Sequence, residues 1–238
     1  MYLSGAGIQD YARLRCIEDD RVVKMKELAP KNRKQSQAET RARLIAVGRE
    51  HFLRLGLGGA VAEKIAAEAG FTRGALYANF ENLEELFIAV VQSTKDVERL
   101  KFQAIVESEG TVEDRFRMMR EAIGDLVTNP AWVVLEAEYQ ANALRNERIR
   151  SAFLAQQELR RSEGAILMGQ FASRLGLKLS ASPEEVVAVL MSLVEGLAVR
   201  QAISGRKEPE RAKRLAMLCF DRLVAVERLD GSGDQAGG

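Results

Sequence analysis

Apolar residues recur at spacings of three and four positions along most of the 238-residue chain, and this period predicts α-helices. A first helix is predicted from about residue 37 to residue 55, before the glycine-rich stretch 56–59. Its buried face is expected to contain Leu44, Val47, His51, Phe52 and Leu55. Strongly alternating runs of valine, isoleucine and threonine are absent, so the sequence predicts an all-α fold.

Residues 61–80, VAEKIAAEAGFTRGALYANF, predict two short helices joined by a tight turn. Gly70 suits the left-handed conformation that ends a helix, and Thr72 can cap the next helix by accepting from a free backbone N–H. Leu76 and Phe80 lie one turn apart and are predicted to face inward. Thr72, Arg73, Ala75 and Tyr77 are left to face outward. This is the pattern of a helix-turn-helix, whose second helix fits a DNA major groove.

Further helices are predicted at about 81–109, 111–127, from Pro130 onward and at 146–175. The next helix has a strong start signal in Ser182-Pro183-Glu184-Glu185 and is apolar nearly all round until Gly205. A helix without a polar face must be covered on more than one side. We expect the chain's own core on one side and a second subunit on the other, so the last two helices predict a four-helix homodimer interface.

Charge is distributed unevenly although the net charge is only +1. Residues 31–80 contain nine Lys or Arg and four Asp or Glu, whereas residues 81–238 contain 21 basic and 25 acidic residues. This asymmetry is expected if only one end of the chain meets phosphate. Lys31, Arg33 and Lys34 form a basic arm, which is either a solvated tail or a phosphate or minor-groove contact.

The composition, 47% hydrophobic and 29% charged, suits a globular protein with a sizeable core. Cys16 and Cys219 match no metal or redox spacing. No apolar run reaches the roughly 18 residues of a membrane span, and no signal peptide is evident at the start. We therefore expect a cytoplasmic protein that is not embedded in a membrane.

Enzyme chemistry is not expected. The single histidine, His51, has no nucleophile motif, carboxylate or cysteine at ligand spacing, so a packing role is favoured. No phosphate-binding glycine loop precedes Lys-Ser or Lys-Thr, and the carboxylates sit singly on predicted helix faces, where solvation is the default. The sequence predicts no catalytic residues, no metal and no cofactor.

A group of residues between about 40 and 86 forms a specific pattern. Its members are Thr40-Arg41, Leu44-Ile45, Phe52, Gly56, Ile65-Ala66, Ala69-Gly70-Phe71-Thr72, Gly74, Leu76-Tyr77, Phe80 and Glu84-Glu85-Leu86. In these positions the chain resembles TetR-family transcriptional regulators. The resemblance implies an N-terminal three-helix helix-turn-helix domain that binds a double-stranded operator, and a larger C-terminal helical domain for ligand binding and dimerisation.

The candidate DNA contacts follow from helix geometry and from this resemblance. They are Arg41, Arg43, Thr72, Arg73, Gly74, Ala75 and Tyr77. Thr72, Arg73 and Ala75 lie at the groove-facing start of the second helix, where Arg73 can take guanine bidentately and Gly74 allows close approach. Tyr77 resembles the phosphate-contacting tyrosine of the family. Arg41 and Arg43 are candidate backbone contacts, which position the protein without reading bases.

Two positions depart from the family pattern. Val61 stands where the family often has Ser or Thr, and Leu83 stands where it commonly has a phosphate-binding Lys. Each change removes a backbone contact, so we expect the salt slope of binding to be lower by roughly one unit than in a relative with that Lys. The alternative function is a helical small-molecule-binding or interaction protein with weakened operator binding.

The predicted domains are an over-extended or flexible arm at 1–35, a DNA-binding domain at 36–82, an effector-binding and dimerisation domain at 83–229, and a disordered tail at 230–238. The protein can start at Met1 or at Met25.

The resemblance also implies a pocket for an unknown small-molecule effector, whose binding would change the spacing of two recognition helices and release a palindromic operator. The candidate lining residues are Phe102, Phe116, Met119, Trp132, Glu136, Tyr139, Phe153, Met168, Phe171, Met191 and Glu195. Glu195 lies inside an apolar helix and needs a partner, either a ligand cation or an arginine across the dimer interface.

Overall fold

The protein was analysed as a computed structural model, which describes residues 33–205 and 208–226. Within these residues the fold is almost entirely helical, as predicted. The helices are α1 (Arg33–Gly59), α2 (Ala62–Glu68), α3 (Arg73–Tyr77), α4 (Leu83–Glu107), α5 (Val112–Leu126), α6 (Pro130–Ala143), α7 (Glu147–Leu175), α8 (Pro183–Ile203) and α9 (Pro209–Leu223). The strands are β1 (Leu177–Leu179) and β2 (Val224–Val226).

The starts of α4–α8 are fixed by side-chain caps. Thr111, Asn129 and Asn146 each accept a hydrogen bond from the backbone N–H three residues ahead, and Asn82 does the same for α4. At α8, Ser182 and Glu185 form a reciprocal capping box. The predicted starts after Thr111, at Pro130 and at Pro183 are confirmed, because each of these caps satisfies a backbone N–H that the helix itself leaves free.

Helix α1 has a break where the glycines predicted its end. Gly56 has φ 70° and ψ 175°, which is non-helical and suits only glycine. The expectation that Leu55 is buried was wrong, since its side chain is 45% exposed. Leu53 and Leu57 pack against the core instead, because the non-helical conformation of Gly56 breaks the helical spacing at this point.

The two strands were not predicted. They pair antiparallel, with Leu177 opposite Val226 and Leu179 opposite Val224. Strands of three residues are too short to show an alternating pattern, and their partners are far apart in sequence.

The predictions for residues 1–32, for the side chains of Arg33 and Lys34 and for the tail at 230–238 fall outside the described residues, as does Cys16.

Apolar side chains form two cores. The first core, here called the reading-domain core because it lies beneath the predicted DNA-binding helices, joins α1–α3 to the first half of α4, the second half of α6 and the start of α7. Its members include Leu44, Phe52, Ile65, Leu76, Phe80, Phe87, Leu135, Tyr139 and Ile149. The bundle core joins the rest of α4 and α6 to α5 and α7–α9; its members include Val106, Met119, Trp132, Phe171, Val186 and Phe220. The first core therefore continues across the predicted domain boundary at 82/83.

Helix α8 is buried along only one side. Val186, Leu190, Val194 and Ala198 face the bundle core, whereas Val189 and Ile203 are 49% and 81% exposed. Contrary to the sequence expectation, its length and apolar composition would allow it to cross a membrane. In the fold its buried side packs against α6, α7 and α9.

Candidate DNA-binding site and buried polar cluster

The turn between α2 and α3 has the predicted geometry. Gly70 has φ 79°, in the left-handed region, and the backbone N–H of Phe71 donates to the carbonyl of Ala66 at 2.8 Å. Thr72 caps α3, because its Oγ1 accepts from the N–H of Ala75 at 3.2 Å. Leu76 is fully buried in the reading-domain core. These contacts orient the short helix α3 with one face fixed inward and the other toward solvent.

The solvent face of α3 carries the predicted base-reading residues together. Thr72, Arg73 and Gly74 are exposed, Ala75 is half-buried, and the Tyr77 side chain is 40% exposed. A Cβ added at Gly74 would meet only Thr72 Oγ1, at 3.7 Å, so the surface there is open. The arrangement presents a small, polar ridge of the kind that enters a major groove.

Arg73 is held above this ridge by two exposed neighbours. Its Nη1 lies 2.5 Å from Glu63 Oε1 on α2, and its guanidinium carbon lies 5.4 Å from the centre of the Tyr77 ring. Both members of the ion pair are more than half exposed, so the pair contributes little and can be exchanged for a DNA contact.

The two arginines of α1 have different surroundings. Arg41 Nη1 donates to the carbonyl of Asn79 at 2.6 Å, and its guanidinium lies 4.1 Å from the Phe80 ring centre. Arg41 thus ties α1 to the segment after α3. Arg43 is exposed beside the turn, with Nη2 3.9 Å from the position of a Cβ added at Gly70. Their assignment as phosphate contacts stays a prediction.

Three further positions of this domain, at which the sequence analysis made predictions, have the following surroundings. His51 is buried and its Nε2 lies 2.7 Å from Glu68 Oε2, a partner that spacing along one helix could not reveal. Val61 is the residue before α2 and makes no side-chain cap, as its apolar side chain requires. Leu83 is half-buried against the reading-domain core, so it serves packing where a lysine would extend outward.

A second group of functional interest lies between the two cores, inside the helical bundle. Lys95 on α4 forms an ion pair with Glu136 on α6, and both side chains are nearly inaccessible to solvent. Gln140 Nε2 donates to Glu136 Oε1 at 3.3 Å and to Glu195 Oε2 at 3.1 Å, which brings α8 into the group. Arg160 on α7 completes it through electrostatic contact with both glutamates.

Three buried polar atoms in this buried polar cluster or one turn from it are unpaired. The Tyr139 hydroxyl, Arg160 Nη2 and, one turn before Arg160, Gln156 Oε1 are buried and have no hydrogen-bond partner among the residues that the structure describes. Glu136 Oε2 also lacks a hydrogen-bond partner, but it forms the ion pair with Lys95. Tyr139 as a whole is fully buried, and its ring lies 5.6 Å from Lys95 Nζ and 5.2 Å from the Phe153 ring. Buried polar groups are normally paired, so three unpaired atoms in one place are unusual.

The cluster changes the pKa values of its members. Burial raises the pKa of Tyr139 to about 12. Burial, and then the charge of Glu136, raise the pKa of Glu195. Burial lowers the pKa of Lys95 and of Arg160, although the neighbouring Glu136 partly offsets this effect in both. Each group is therefore pushed toward its neutral form by the loss of water, as expected at a site with few compensating hydrogen bonds.

The candidate ligand residues separate into two groups. Most of the pool packs in or against the bundle core, namely Phe102, Phe116, Met119, Trp132, Met168, Phe171 and Met191. Only Glu136, Tyr139, Phe153 and Glu195 meet at the buried polar cluster. Within the chain, Glu195 Oε2 accepts a hydrogen bond from Gln140 Nε2, and Arg160 lies nearby; a ligand cation or an arginine across the dimer interface stays a prediction.

Lys95, Gln140 and Arg160 were not predicted, because each is a single polar residue on a helix and belongs to no motif in the sequence. Glu136, by contrast, is among the residues that the sequence predicted for the pocket, and it is 3% exposed. The one signal available was the spacing of Phe153, Gln156 and Arg160, which puts two polar residues on the helix face that Phe153 turns inward. Within the described residues, no group of three or more His, Cys, Asp or Glu is arranged to hold a metal ion.

The fold and the exposed ridge on α3 define a class: a DNA-binding transcriptional regulator with an N-terminal helix-turn-helix and a helical C-terminal domain. The sequence model described as bacterial regulatory proteins, tetR family, matches residues 44–90. The prediction of a TetR-family regulator is thereby confirmed, and the helix-turn-helix of this chain is the DNA-binding domain of that family.

Solved structures show the same fold over most of the chain. A protein from Mesorhizobium loti assigned to the TetR-family transcriptional regulators is 21% identical, with a TM-score of 0.64, covering 82% of this chain and all of the other. One from Rhodococcus sp. is 22% identical, with a TM-score of 0.65 and coverage of 79% and 100%. A transcriptional regulator from Saccharomonospora viridis in complex with choline is 15% identical, with a TM-score of 0.61 and coverage of 79% and 99%.

Proposed function

We propose that the protein is a homodimeric, cytoplasmic repressor of transcription that a small molecule releases from a palindromic operator. The observation that carries this proposal is the α3 ridge, in which Thr72, Arg73, Gly74 and Tyr77 stand out from a helix whose other face is buried. In this proposal the bases are contacted by Thr72, Arg73 and Ala75, and the phosphates by Tyr77, Arg41 and Arg43. The DNA-binding domain ends at about residue 82.

The exposed side of α8 supports a dimer. Val189, Gly196 and Ile203 are exposed and recur every seven residues along the helix, and a Cβ added at Gly196 would meet nothing within 4 Å. On α9, Leu215 and Leu218 are 42% and 51% exposed. An apolar surface on two adjacent helices fits an isologous interface, in which the same surface of a second copy covers it.

A dimerisation test can use matched exposed leucines. Leu218→Glu places a charge at the proposed interface, whereas Leu100→Glu places one on α4 at a leucine of similar exposure, 54% against 51%. We expect the wild type and Leu100→Glu to sediment with twice the 26.4 kDa mass of one chain, and Leu218→Glu to sediment as a monomer. A monomeric wild type would contradict the proposed dimer.

Contacts between α6 and α1 support coupling of a ligand to DNA. Glu138 Oε1 accepts from the N–H of Leu57 at 2.5 Å, at the break that ends α1. Edge-to-face rings also connect the domains: Phe52 to Phe87 at 5.2 Å, Phe87 to Tyr139 at 6.0 Å and Tyr139 to Phe153 at 5.2 Å. A ligand that moves α6 at the polar cluster therefore moves groups that position α1 and the helix-turn-helix.

Selection of bound duplexes from a random DNA pool tests the DNA-binding proposal. We expect enrichment of a palindrome with half-sites about one helical turn apart, bound much more tightly than unselected DNA of equal length. Failure to enrich any sequence would favour the alternative, a helical ligand-binding or interaction protein with weakened operator binding. The uncapped Val61 at the start of α2 and the apolar Leu83 are the observations that support this alternative.

A further inference from the structure

The buried polar cluster is composed of residues from four helices, and its unpaired atoms define the chemistry of a ligand that would complete it. Glu136 is already neutralised by Lys95, and Glu195 already accepts from Gln140 and faces Arg160. A ligand cation would find no carboxylate without a partner. Apart from Gln156 Oε1, an acceptor, the groups that lack partners are the hydroxyl of Tyr139 and Nη2 of Arg160, and both can donate a hydrogen bond.

We propose that the effector is a small organic acid whose carboxylate accepts hydrogen bonds from Tyr139 and Arg160. This proposal rests on the proposed function, because it assigns the chemical class of the molecule that releases the operator. A carboxylate supplies two acceptor oxygens and a negative charge to an arginine that burial has separated from water. It satisfies two of the three unpaired atoms at once.

The remainder of the ligand is expected to be apolar and small. Phe153 faces Tyr139 at 5.2 Å, and the two cores enclose the cluster from either side. A long polar chain would leave its own groups unpaired in these surroundings, whereas a hydrocarbon chain or an aromatic ring would not. The unpaired oxygen of Gln156, one turn before Arg160, can accept from a single hydroxyl or amine on such a molecule.

Binding can be measured directly on the full-length protein. Trp132 is the only tryptophan and lies one turn before Glu136 on α6, so its fluorescence reports events at the cluster. The probes are acetate, hexanoate, octanoate, benzoate and phenylacetate, the matched amides hexanamide and benzamide, and choline, each titrated by fluorescence and by calorimetry. We expect at least one carboxylate to bind at least about tenfold more tightly than its matched amide and than choline.

Variants locate the binding site. Tyr139→Phe removes only the unpaired hydroxyl, and we expect carboxylate affinity to fall about tenfold without loss of thermal stability. Arg160→Gln should reduce it by roughly 10- to 100-fold, with partial recovery in Arg160→Lys. The matched control is Arg161→Gln, an exposed neighbour that pairs with Glu158 and should bind carboxylates as the wild type does.

The outcomes separate the ligand class from the function. If no carboxylate binds, if choline or the amides bind as tightly, or if Arg160→Gln and Arg161→Gln behave alike, the assignment of an organic acid is overturned. Release of selected DNA by choline or an amide alone would also overturn the assignment while supporting the ligand-released repressor. Conversely, a carboxylate that binds through Tyr139 and Arg160 but leaves DNA binding unchanged supports the assignment and contradicts the repressor.

Discussion

The polar residues of the helix-turn-helix are exposed to solvent, whereas those of the buried polar cluster are not. On α3 the functional groups stand in water above a fully apolar interior, so they cost nothing in the free protein and are available to DNA. Between the two cores, charged groups are buried, and three polar atoms have no partner among the described residues. The comparison indicates that side chains for DNA contacts need only a rigid helix beneath them. A buried ligand site instead needs polar atoms that lack hydrogen-bond partners until the ligand binds.

The largest effect is expected from removing the α3 ridge itself. Arg73→Ala combined with Tyr77→Ala should reduce affinity for the selected operator to the non-specific level, a loss of roughly 10³-fold or more, because base readout and a phosphate contact are both removed. Fluorescence anisotropy measures it. The control is Arg222→Ala, an exposed arginine at the far end of the chain, which should leave affinity unchanged. Operator binding by the double variant at wild-type strength would refute the site.

The support beneath the ridge can be tested separately. Leu76 has no exposed surface and fills the reading-domain core behind α3, so Leu76→Ala should lower the free energy of unfolding by about 2–5 kcal/mol. Denaturant unfolding followed by circular dichroism measures the change. Ala78→Gly on the exposed side of the same segment is the comparison and should cost no more than about 1 kcal/mol. Equal losses would mean that α3 is not anchored by Leu76.

The connection between the two regions should also be measurable. Glu138→Ala removes the acceptor for the N–H of Leu57 and should cost about 1–3 kcal/mol of stability, because that donor is then only partly compensated by water. We also expect it to weaken ligand-induced release of DNA more than DNA binding itself. Glu121→Ala, at an exposed carboxylate on α5, is the control. An unchanged ligand response in Glu138→Ala would mean that coupling does not pass through this contact.

Much of the DNA-binding site could be predicted from the sequence, because it depends on local signals. Gly70, the Thr72 cap and the spacing of Leu76 and Phe80 are all contained within the motif, and the structure has the turn, the cap and the buried residues where they were predicted. The helix starts at Thr111, Pro130 and Pro183 depended on local caps in the same way.

Glu136, Tyr139 and Glu195 were among the candidate pocket residues, but their assembly with Lys95 and Arg160 could not be predicted, because the members come from four helices and meet only in the folded chain. Lys95 and Glu136 are separated by the whole of α5, and nothing near Lys95 in sequence marks it as buried. The same limit explains the missed pair of His51 with Glu68 and the missed pairing of β1 with β2.

A smaller effect is expected at the position where the DNA-binding domain departs from its family. Leu83→Lys should restore a phosphate contact and steepen the plot of log affinity against log salt by about 0.9, the slope that one phosphate contact adds. Anisotropy titrations at several salt concentrations measure the slope. An unchanged slope would mean that residue 83 does not reach the backbone of the operator.

The smallest effect concerns the cluster and depends on pH. Burial, and then the charge of Glu136, raise the pKa of Glu195 in the folded protein, so folding retains a proton that the unfolded chain releases. Stability contributed by this group therefore falls as pH rises from the ordinary glutamate pKa, about 4.3, through the raised value. Glu195→Gln should raise the melting temperature at pH 8, and the gain should vanish below pH of about 4. A gain that is independent of pH would contradict this cause.

In the proposed dimer, two copies of the α3 ridge read one operator together. The most direct measurement compares the selected palindrome with the same duplex in which about five base pairs, half a helical turn, have been inserted between the half-sites. We predict that binding falls to the level of a single half-site, because the second ridge then faces away from its groove. Equal affinity for the two duplexes would contradict simultaneous binding of both half-sites by the two α3 ridges.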